Sequence, residues 1–434
     1  MAVYSDADAG MPHVLAADEA HRIGPPPVKD SYLSIDAIIA VIKATGADAV
    51  HPGYGLLSEK RAFAEAVAAA GATYIGPPPE ALDAFGDKIK ARVVARAAGV
   101  SPPPGSDGPL DPADVASVIA EGERIGFPVL VKAAGGGGGI GMQIVREAKD
   151  LERAVRACSD RGRSAFGDER VYLERYLDQP RHIEVQVMCD AHGTSVALGE
   201  RECSVQRRHQ KVVEESPSPA AFFTGEAGEA RRKKLHEDAI RVVARVGYRG
   251  AGTVEFIADA RGDLWFLEVN ARLQVEHPVT EMVTGVDLVE LQLRVASGEA
   301  LPSDLARAPK GHSIEARVYA EDPAKKFAPQ PGKLATLSWP EAGPELRIET
   351  GVVEGSEVTP FYDPMIAKVV AHGATRAEAI ARLDAALAGT KLELVGARGP
   401  VQTNLGYLRQ ILADQRFTTG AYDTSFAELL AAGK

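Results

Sequence analysis

Along the N-terminal quarter of the chain, short apolar runs alternate with stretches in which apolar residues recur at helical spacing. "AVYS" (2–5) reads as a strand beginning at the second residue. "DAV" before His51 and "ATYIG" (72–76) read as two more, with a helix over Arg61–Ala70 between them. That rhythm predicts a parallel sheet with helical crossovers. The Pro/Gly-rich stretch "SPPPGSDGPLDPAD" (101–114) breaks the pattern, and a second break falls near Leu301–Gly311. Beyond it, short strands ("HSIEARVYA", "MIAKVVAHG") mix with a helix ("RAEAIARLDAAL"), which predicts an α+β unit. The expected fold is multidomain, α/β and α+β, without internal repeats.

The pattern also predicts two hairpins. In the first, "FPVLVKAA" (127–134) and "MQIVR" (142–146) are strands rich in bulky and β-branched residues, joined by the run of glycines Gly135–Gly139. In the second, "TVEFIADARGDLWFLEVN" (253–270) reads as two strands turning near Arg261-Gly262. A symmetric pairing sets Glu255 opposite Glu268, Thr253 opposite Asn270 and Ile257 opposite Phe266. The other face carries Val254, Phe256, Trp265, Leu267 and Val269, so both faces read as largely buried.

Composition narrows the class. A chain of 434 residues, 45% hydrophobic, holds about two to four domains with sizeable cores. With 25% charged residues and a net charge of −11, no segment has the basic balance of a nucleic-acid binder. Cys158, Cys189 and Cys203 form no CxxC pair, which argues against a disulfide framework or a zinc ribbon and for the cytoplasm. No apolar stretch is long enough to span a bilayer, and "MAVYSDADAG" turns acidic too soon for a secretory signal.

The glycines satisfy GxGxxG at Gly136, Gly138 and Gly141, but no helix follows, as a dinucleotide fingerprint requires, and no Gly-Lys-Ser/Thr follows, as a Walker loop requires. Two readings remain. One is a tip without ligand; the other is a hairpin whose backbone N–H groups approach phosphates because no Cβ intervenes, with Lys132 as a point charge. The second hairpin favours the latter. Opposed like charges on a buried face are unfavourable unless a cation separates them, so Glu255 and Glu268 with the Asn270 amide read as ligands of Mg²⁺ or Mn²⁺ bridging nucleotide phosphates. Without metal, one of the two carboxylates is expected to take up a proton. If the strand alternation continues through "NARLQVEHP", then Asn270, Arg272, Gln274 and Glu276 form a polar stripe. That stripe is either a polar edge strand or a site for a small anionic substrate with a general base.

"HPGYGLLSE" (51–59), "GDK" (86–88), "VKAAGGGGGIGM", "ERYL" (174–177), "ERECSVQRRHQKVVEE" (200–215), "GYRGAGTVEF" and "EVNARLQVEHPVTE", in this order, resemble the biotin carboxylase family of ATP-grasp enzymes over essentially the whole chain. The resemblance implies an N-terminal open α/β (pre-ATP-grasp) domain over 1–86. It further implies an ATP-grasp domain over 87–305 with the glycine hairpin on a lid at about 104–176, and a C-terminal biotin carboxylase domain over 306–434. The implied reaction is ATP-dependent activation of bicarbonate as carboxyphosphate and carboxylation of biotin on a carrier protein. Matched residue by residue, Lys88, Lys132, Gly136, Gly137, Gly138, Met142, Glu174, Arg175, Leu177, His182, Gln206 and His209 would bind ATP. Glu255, Glu268 and Asn270 would hold the metal, Mg²⁺ or Mn²⁺, as two ions. Arg272, Gln274, the backbone of Val275 and Lys211 would bind bicarbonate, with Glu276 as base. Tyr54, Gly55 and Arg347 would bind biotin, Arg347 stabilising its enolate.

Three features depart from the family pattern. Ile140 stands where an Arg commonly follows the glycines, a form that resembles urea carboxylases, as does "TNLGYLRQILADQRF" (403–417). The family's opening strand, glycine loop and helix, roughly 30 residues, would precede "AVYS". No Met-Lys-Met motif is present, so the biotin carboxyl carrier protein and the carboxyltransferase that selects an acyl-CoA or urea are expected on other chains or on an extension. A homodimer is expected, and neither nucleic acid nor membrane as a partner. The alternatives are another ATP-grasp carboxylate–amine ligase, or an ATP-binding remnant without catalysis.

Overall fold

Parallel pairing begins at once, with β1 (Ala2–Ser5) beside β2 (Ala20–Gly24) and α1 (Pro12–Ala16) in the crossover. The computed structural model describes residues 1–134 and 141–434; Gly136, Gly137, Gly138 and Ile140 lie outside the described residues. The helix α2 (Ile35–Thr45) starts where Ser34 accepts from the Ala37 N–H and stops at Gly46, whose φ of 67° favours glycine. Next, β3 (Ala49–Val50) and β4 (Thr73–Tyr74) pair in parallel across α3 (Arg61–Ala69), as the sequence predicts. After α4 (Pro79–Gly86), Asp87 caps α5 (Lys88–Ala97) through the N–H groups of Ile89 and Lys90, which fixes Lys88 at the first helical position.

The glycine hairpin forms part of a small three-stranded antiparallel sheet. Between α6 (Val115–Ile125) and α7 (Leu151–Phe166), β5 (Val129–Ala133) pairs with β6 (Met142–Val145), Lys132 opposite Met142, and on its other side with β7 (Val171–Arg175). Val118, Val129, Val131, Leu151, Val155 and Leu173 form its own core.

One eight-stranded antiparallel sheet then runs from β8 (Arg181–Cys189), β9 (Ser195–Arg207) and β10 (Gln210–Ser216), through β11 (Gly250–Ala258) and β12 (Leu264–Asn270), into the C-terminal third. The helices α8 (Gly225–Ala244), α9 (His277–Thr284) and α10 (Leu288–Ala296) lie along this chain segment, followed by β13 (His312–Tyr319). The short pair β14 (Glu321–Asp322) and β15 (Ala328–Pro329) comes next, then β16 (Gly332–Ser338), β17 (Leu346–Thr350), β18 (Glu357–Val358) and β19 (Met365–Gly373). The chain closes with α11 (Arg376–Gly389), β20 (Lys391–Gly396), β21 (Gly399–Val401) and α12 (Leu405–Ala413) among its last elements. The strand order is β12-β11-β8-β9-β10-β13-β19-β17, and a separate sheet is ordered β18-β16-β20-β21.

Strand alternation decides what each face holds. Ile183, Val185 and Val187 of β8 and Val254, Phe256 and Ala258 of β11 pack against Leu235 and Val242 of α8. The intervening residues Glu184, Gln186, Thr253 and Glu255 share the opposite face and are buried there too. At the β11–β12 hairpin the structure corrects the symmetric register. Glu255 does face Glu268 and Thr253 faces Asn270, but Phe256 pairs with Phe266 and Ile257 with Trp265. Leu267 is the extra residue of a bulge, which turns Phe266 away from the carboxylates into the core beside Phe256.

The junction of β10 with β13 and the C-terminal helices is held by Glu215, buried and accepting from His312 Nε2 at 2.6 Å, Arg376 Nε at 2.6 Å and NH2 at 2.9 Å, and the Tyr422 hydroxyl. Burial alone would raise its pKa, but His312 and Arg376 bring it down to about 2. The stability it confers is therefore complete above the unfolded carboxyl pKa of about 4.3 and is lost as pH falls through about 2. Glu215→Gln is expected to cost about 3–5 kcal/mol at neutral pH, measured by urea unfolding, because it leaves Arg376 buried without its counter-charge. A loss below about 1 kcal/mol would show that Glu215 does not hold the junction.

Candidate active site

Three carboxylates meet the Lys211 ammonium at the charged face of the large sheet, where residues expected at the metal and at bicarbonate converge. Lys211, on β10, donates to Glu184 Oε2 at 2.5 Å, Glu255 Oε1 at 2.9 Å and Glu276 Oε1 at 2.6 Å. Glu255 also faces His182 Nε2 at 3.1 Å, and it accepts from Asn270 Nδ2 at 2.7 Å and Gln274 Nε2 at 3.1 Å. Glu268, its cross-strand partner, is paired with Lys88. Each carboxylate thus has its own cation, where the sequence reading expected the two to face each other unscreened. Burial would raise the Glu255 carboxyl, but Lys211 and His182 hold it well below the usual range.

The polar stripe is brought together by a different geometry from the one expected. β12 ends at Asn270, and residues 271–276 form a loop before α9, so alternation does not continue. The loop closes on itself instead. Arg272 NH1 donates to Gln274 Oε1 at 2.9 Å and NH2 to Asn270 Oδ1 at 3.0 Å. Asn270 therefore turns its amide nitrogen to Glu255 and its oxygen to Arg272. Glu59, after β3, ties the loop to the N-terminal unit by accepting from the Ala271 N–H at 2.9 Å and from Arg272 Nε at 3.0 Å.

Toward the lid, Lys132 and Arg92 both pair with Glu174, which is 3% exposed. Burial raises its pKa, but Lys132 and Arg92 keep it ionised. Met142 opens β6, Arg175 ends β7 exposed, and Leu177 lies half-buried in the connection to β8. Gln206 is buried near the end of β9, and His209 lies exposed in the β9–β10 turn, where it and Arg208 have φ of 66° and 49°. Positive φ at both central residues is the geometry of a tight hairpin.

At the opposite end, Arg347 of β17 donates to Glu281 Oε2 at 2.6 Å and pairs with Glu349. Lys368 of β19 donates to the Val275 carbonyl at 2.7 Å and lies 2.5 Å from Glu349, linking the 271–276 loop to the arginine expected at biotin. Tyr54 and Gly55 lie in the exposed loop after β3. Burial raises the Tyr54 pKa, opposed by the charges of Lys368 and Arg317.

Several residues of this site were not anticipated: Glu184, Arg201, Arg317, Lys368, Glu281 and Glu59. Arg201 is fully buried and donates to Glu184 at 2.5 Å, Gln186 at 2.7 Å, Thr280 at 3.0 Å and Thr253 at 3.0 Å. The signal that could have found them is charge at alternate positions inside strongly apolar strands, as in "HSIEARVYA".

The comparisons with known proteins decide the family. Residues 1–82 match the profile of the biotin carboxylase N-terminal domain, 87–304 that of the carbamoyl-phosphate synthase L chain ATP-binding domain, and 315–428 that of the biotin carboxylase C-terminal domain. A biotin carboxylase of Halalkalibacterium halodurans is 47% identical over 427 residues, 98% of this chain and 91% of that protein. The chain belongs to the biotin carboxylase family. A propionyl-CoA carboxylase alpha chain of Ruegeria pomeroyi is 46% identical over 98% of this chain and 63% of its own length. Among solved structures, a biotin carboxylase–βγ-ATP complex of Campylobacter jejuni superposes with a TM-score of 0.92 at 42% identity, covering 98% of this chain and 92% of that one. The biotin carboxylase domain dimer of Hydrogenobacter thermophilus 2-oxoglutarate carboxylase, in complex with MgADP, ADP and bicarbonate, gives 0.91 at 39% identity, covering 98% and 91%. The chain is an ATP-grasp ligase, with the multidomain α/β fold of its family. No helix of its described residues is long and apolar enough to cross a membrane.

Proposed function

We propose that the chain carboxylates biotin with bicarbonate and ATP through the residues gathered around Lys211, as the first half-reaction of an acyl-CoA or urea-type carboxylase. The observation that carries the proposal is the bridging of Lys211 between Glu255, on the metal side, and Glu276, on the bicarbonate side. One cation thus touches both ends of the reaction.

Lys88, Lys132, Glu174, His182, Gln206 and His209 serve the nucleotide, with Met142, Arg175 and Leu177 at the lid. Lys132 supplies positive charge where the β5 strand leads into the glycines. Glu255 and Glu268 offer hard oxygen donors that fit Mg²⁺ or Mn²⁺, one ion or two, and the cations now on them, Lys211, His182 and Lys88, mark where positive charge is favourable. Bound there, the metal would neutralise charge on the phosphates. Arg272, Gln274, the Val275 backbone and Lys211 orient bicarbonate. Glu276 takes its proton, so that the freed oxygen attacks the γ-phosphorus and yields carboxyphosphate and ADP. Arg347 stabilises the biotin enolate, with Tyr54 and Gly55 beside the bicyclic ring. The biotin is carried by a biotin carboxyl carrier protein, the carboxyl passes to a carboxyltransferase, and the enzyme works as a homodimer in the cytoplasm. The relationship to propionyl-CoA carboxylase alpha chains supports those partners.

ADP release from ATP should depend on both bicarbonate and free biotin. Dependence on an amine in their place would make the chain a different ATP-grasp ligase, and ATP binding without turnover a remnant.

A further inference from the structure

Two donors that the catalytic reading leaves unused hold the 271–276 loop from outside. His277, the first residue of α9, turns its Nδ1 back to the Gln274 carbonyl at 2.7 Å, and its own backbone N–H reaches the same oxygen at 3.4 Å. Lys368 Nζ, from β19, donates to the next carbonyl along, that of Val275, at 2.7 Å. Both side chains are buried. Two consecutive carbonyls are therefore pinned, one from the helix and one from the sheet.

Peptide geometry carries the consequence. A trans peptide points its C=O and N–H in opposite directions, and the peptides on either side of Val275 are both trans. Fixing the Gln274 oxygen on His277 thus turns the Val275 N–H to the far side of the loop. Among the described residues, that N–H has no acceptor, although it lies between the buried Gln274 and Glu276. A backbone donor in such a place calls for a ligand or a water. The histidine is suited to the task. A carbonyl oxygen only accepts, so Nδ1 carries the proton, and burial together with the Lys368 charge lowers the His277 pKa to about 4, which keeps the ring uncharged at neutral pH. The bond to the Gln274 oxygen also polarises the peptide and strengthens its N–H as a donor.

The inference rests on the reading of this loop as the bicarbonate pocket, with Arg272, Gln274 and Lys211 supplying side chains and Val275 the backbone. We propose that His277 is a positioning residue for that pocket: its Nδ1–H anchors the Gln274 carbonyl and so aims the Val275 N–H at the bound bicarbonate, while Lys368 anchors the peptide that carries Glu276. Arg272 and Lys211 attract the anion by charge, which fixes its place better than its orientation. A rigid N–H adds direction. It selects an unprotonated oxygen of bicarbonate and leaves the hydroxyl to Glu276.

The test is the KM for bicarbonate in ADP release by the full chain, compared among the wild type, His277→Leu and His277→Asn. Leu fills the space without a donor, whereas Asn places an N–H near the position of Nδ1. Loss of a contact made equally in the ground and transition states raises KM and spares kcat. His277→Leu should therefore raise the KM for bicarbonate about tenfold, the size of one hydrogen bond, with kcat and the KM for ATP each within about twofold of the wild type. His277→Asn should recover most of the bicarbonate KM. A merely structural role would lower kcat, ATP affinity and melting temperature together in both variants. That outcome overturns the proposal, as does a wild-type bicarbonate KM in His277→Leu. Nitrogen NMR of the wild type with isotope-labelled histidine reads the anchor without any variant: His277 is expected as the Nδ1–H tautomer at neutral pH, and an Nε2–H tautomer overturns it. A wild type whose ADP release ignores bicarbonate overturns instead the reading of the pocket itself.

Discussion

Glu276→Gln is expected to lower bicarbonate-dependent ADP release by about 10²–10⁴-fold while leaving ATP affinity near normal. The substitution keeps the volume and most hydrogen-bonding capacity but cannot accept a proton. Glu276 is fully buried, with Lys211 Nζ at 2.6 Å and Arg317 NH2 at 2.9 Å. Burial would raise its pKa, yet Lys211 and Arg317 hold it well below the carboxylate range. Glu276 is therefore ionised throughout the physiological range, as the proposed base must be before it meets substrate. Bicarbonate held as proposed, at Lys211 and Arg272, would bring a negative charge next to it and so raise its proton affinity. The fold should tolerate the change, because Lys211 keeps Glu184 and Glu255 and Arg317 keeps Glu214. Initial-rate kinetics with and without bicarbonate, alongside ATP titration calorimetry and a thermal melt, check the expectation. Turnover within about tenfold of the wild type, in a folded protein, would remove Glu276 from the mechanism.

The two hairpins and the parallel N-terminal pairing were legible because apolar periodicity and turn residues carry them locally. Glu255 opposite Glu268 followed from strand pairing alone. The position of Phe266 did not, since a one-residue bulge at Leu267 reverses which face each later residue takes, and nothing in a single sequence marks it. The stripe from Asn270 to Glu276 was identified for the wrong geometric reason. Its side chains do converge, but through a loop braced by Arg272 and Glu59 rather than a continuing strand. The largest gap was the ionic network. Arg201, Arg317 and Lys368 meet their carboxylates across strands far apart in sequence, and Glu214 faces Glu315 from a different sequence unit. Such pairings depend on how the eight strands are ordered, which local pattern does not encode.

That network changes what the metal carboxylates should do when altered. Repulsion between Glu255 and Glu268 would make a Gln at either position neutral or stabilising in the absence of metal. With a cation on each, the two positions should separate. Glu255 is buried with Lys211 and His182, so Glu255→Gln should lose about 3–5 kcal/mol without ligand. Glu268 is 31% exposed along its side chain and is paired with Lys88 at the start of α5, so Glu268→Gln should lose no more than about 1 kcal/mol. Stabilisation by saturating Mg²⁺–ATP, about 4 kcal/mol at a thousandfold excess over Kd, should be present in the wild type and largely absent from both variants. Glu268→Gln is the sharper test, because its unliganded melt stays near that of the wild type and any loss of response then reports the metal alone. Melts of the three proteins with ATP, with Mg²⁺ and with both decide the matter. A Glu268→Gln protein that still gains the full shift from Mg²⁺–ATP would leave Lys88 and Glu268 as an ordinary ion pair and remove Glu268 from the metal site.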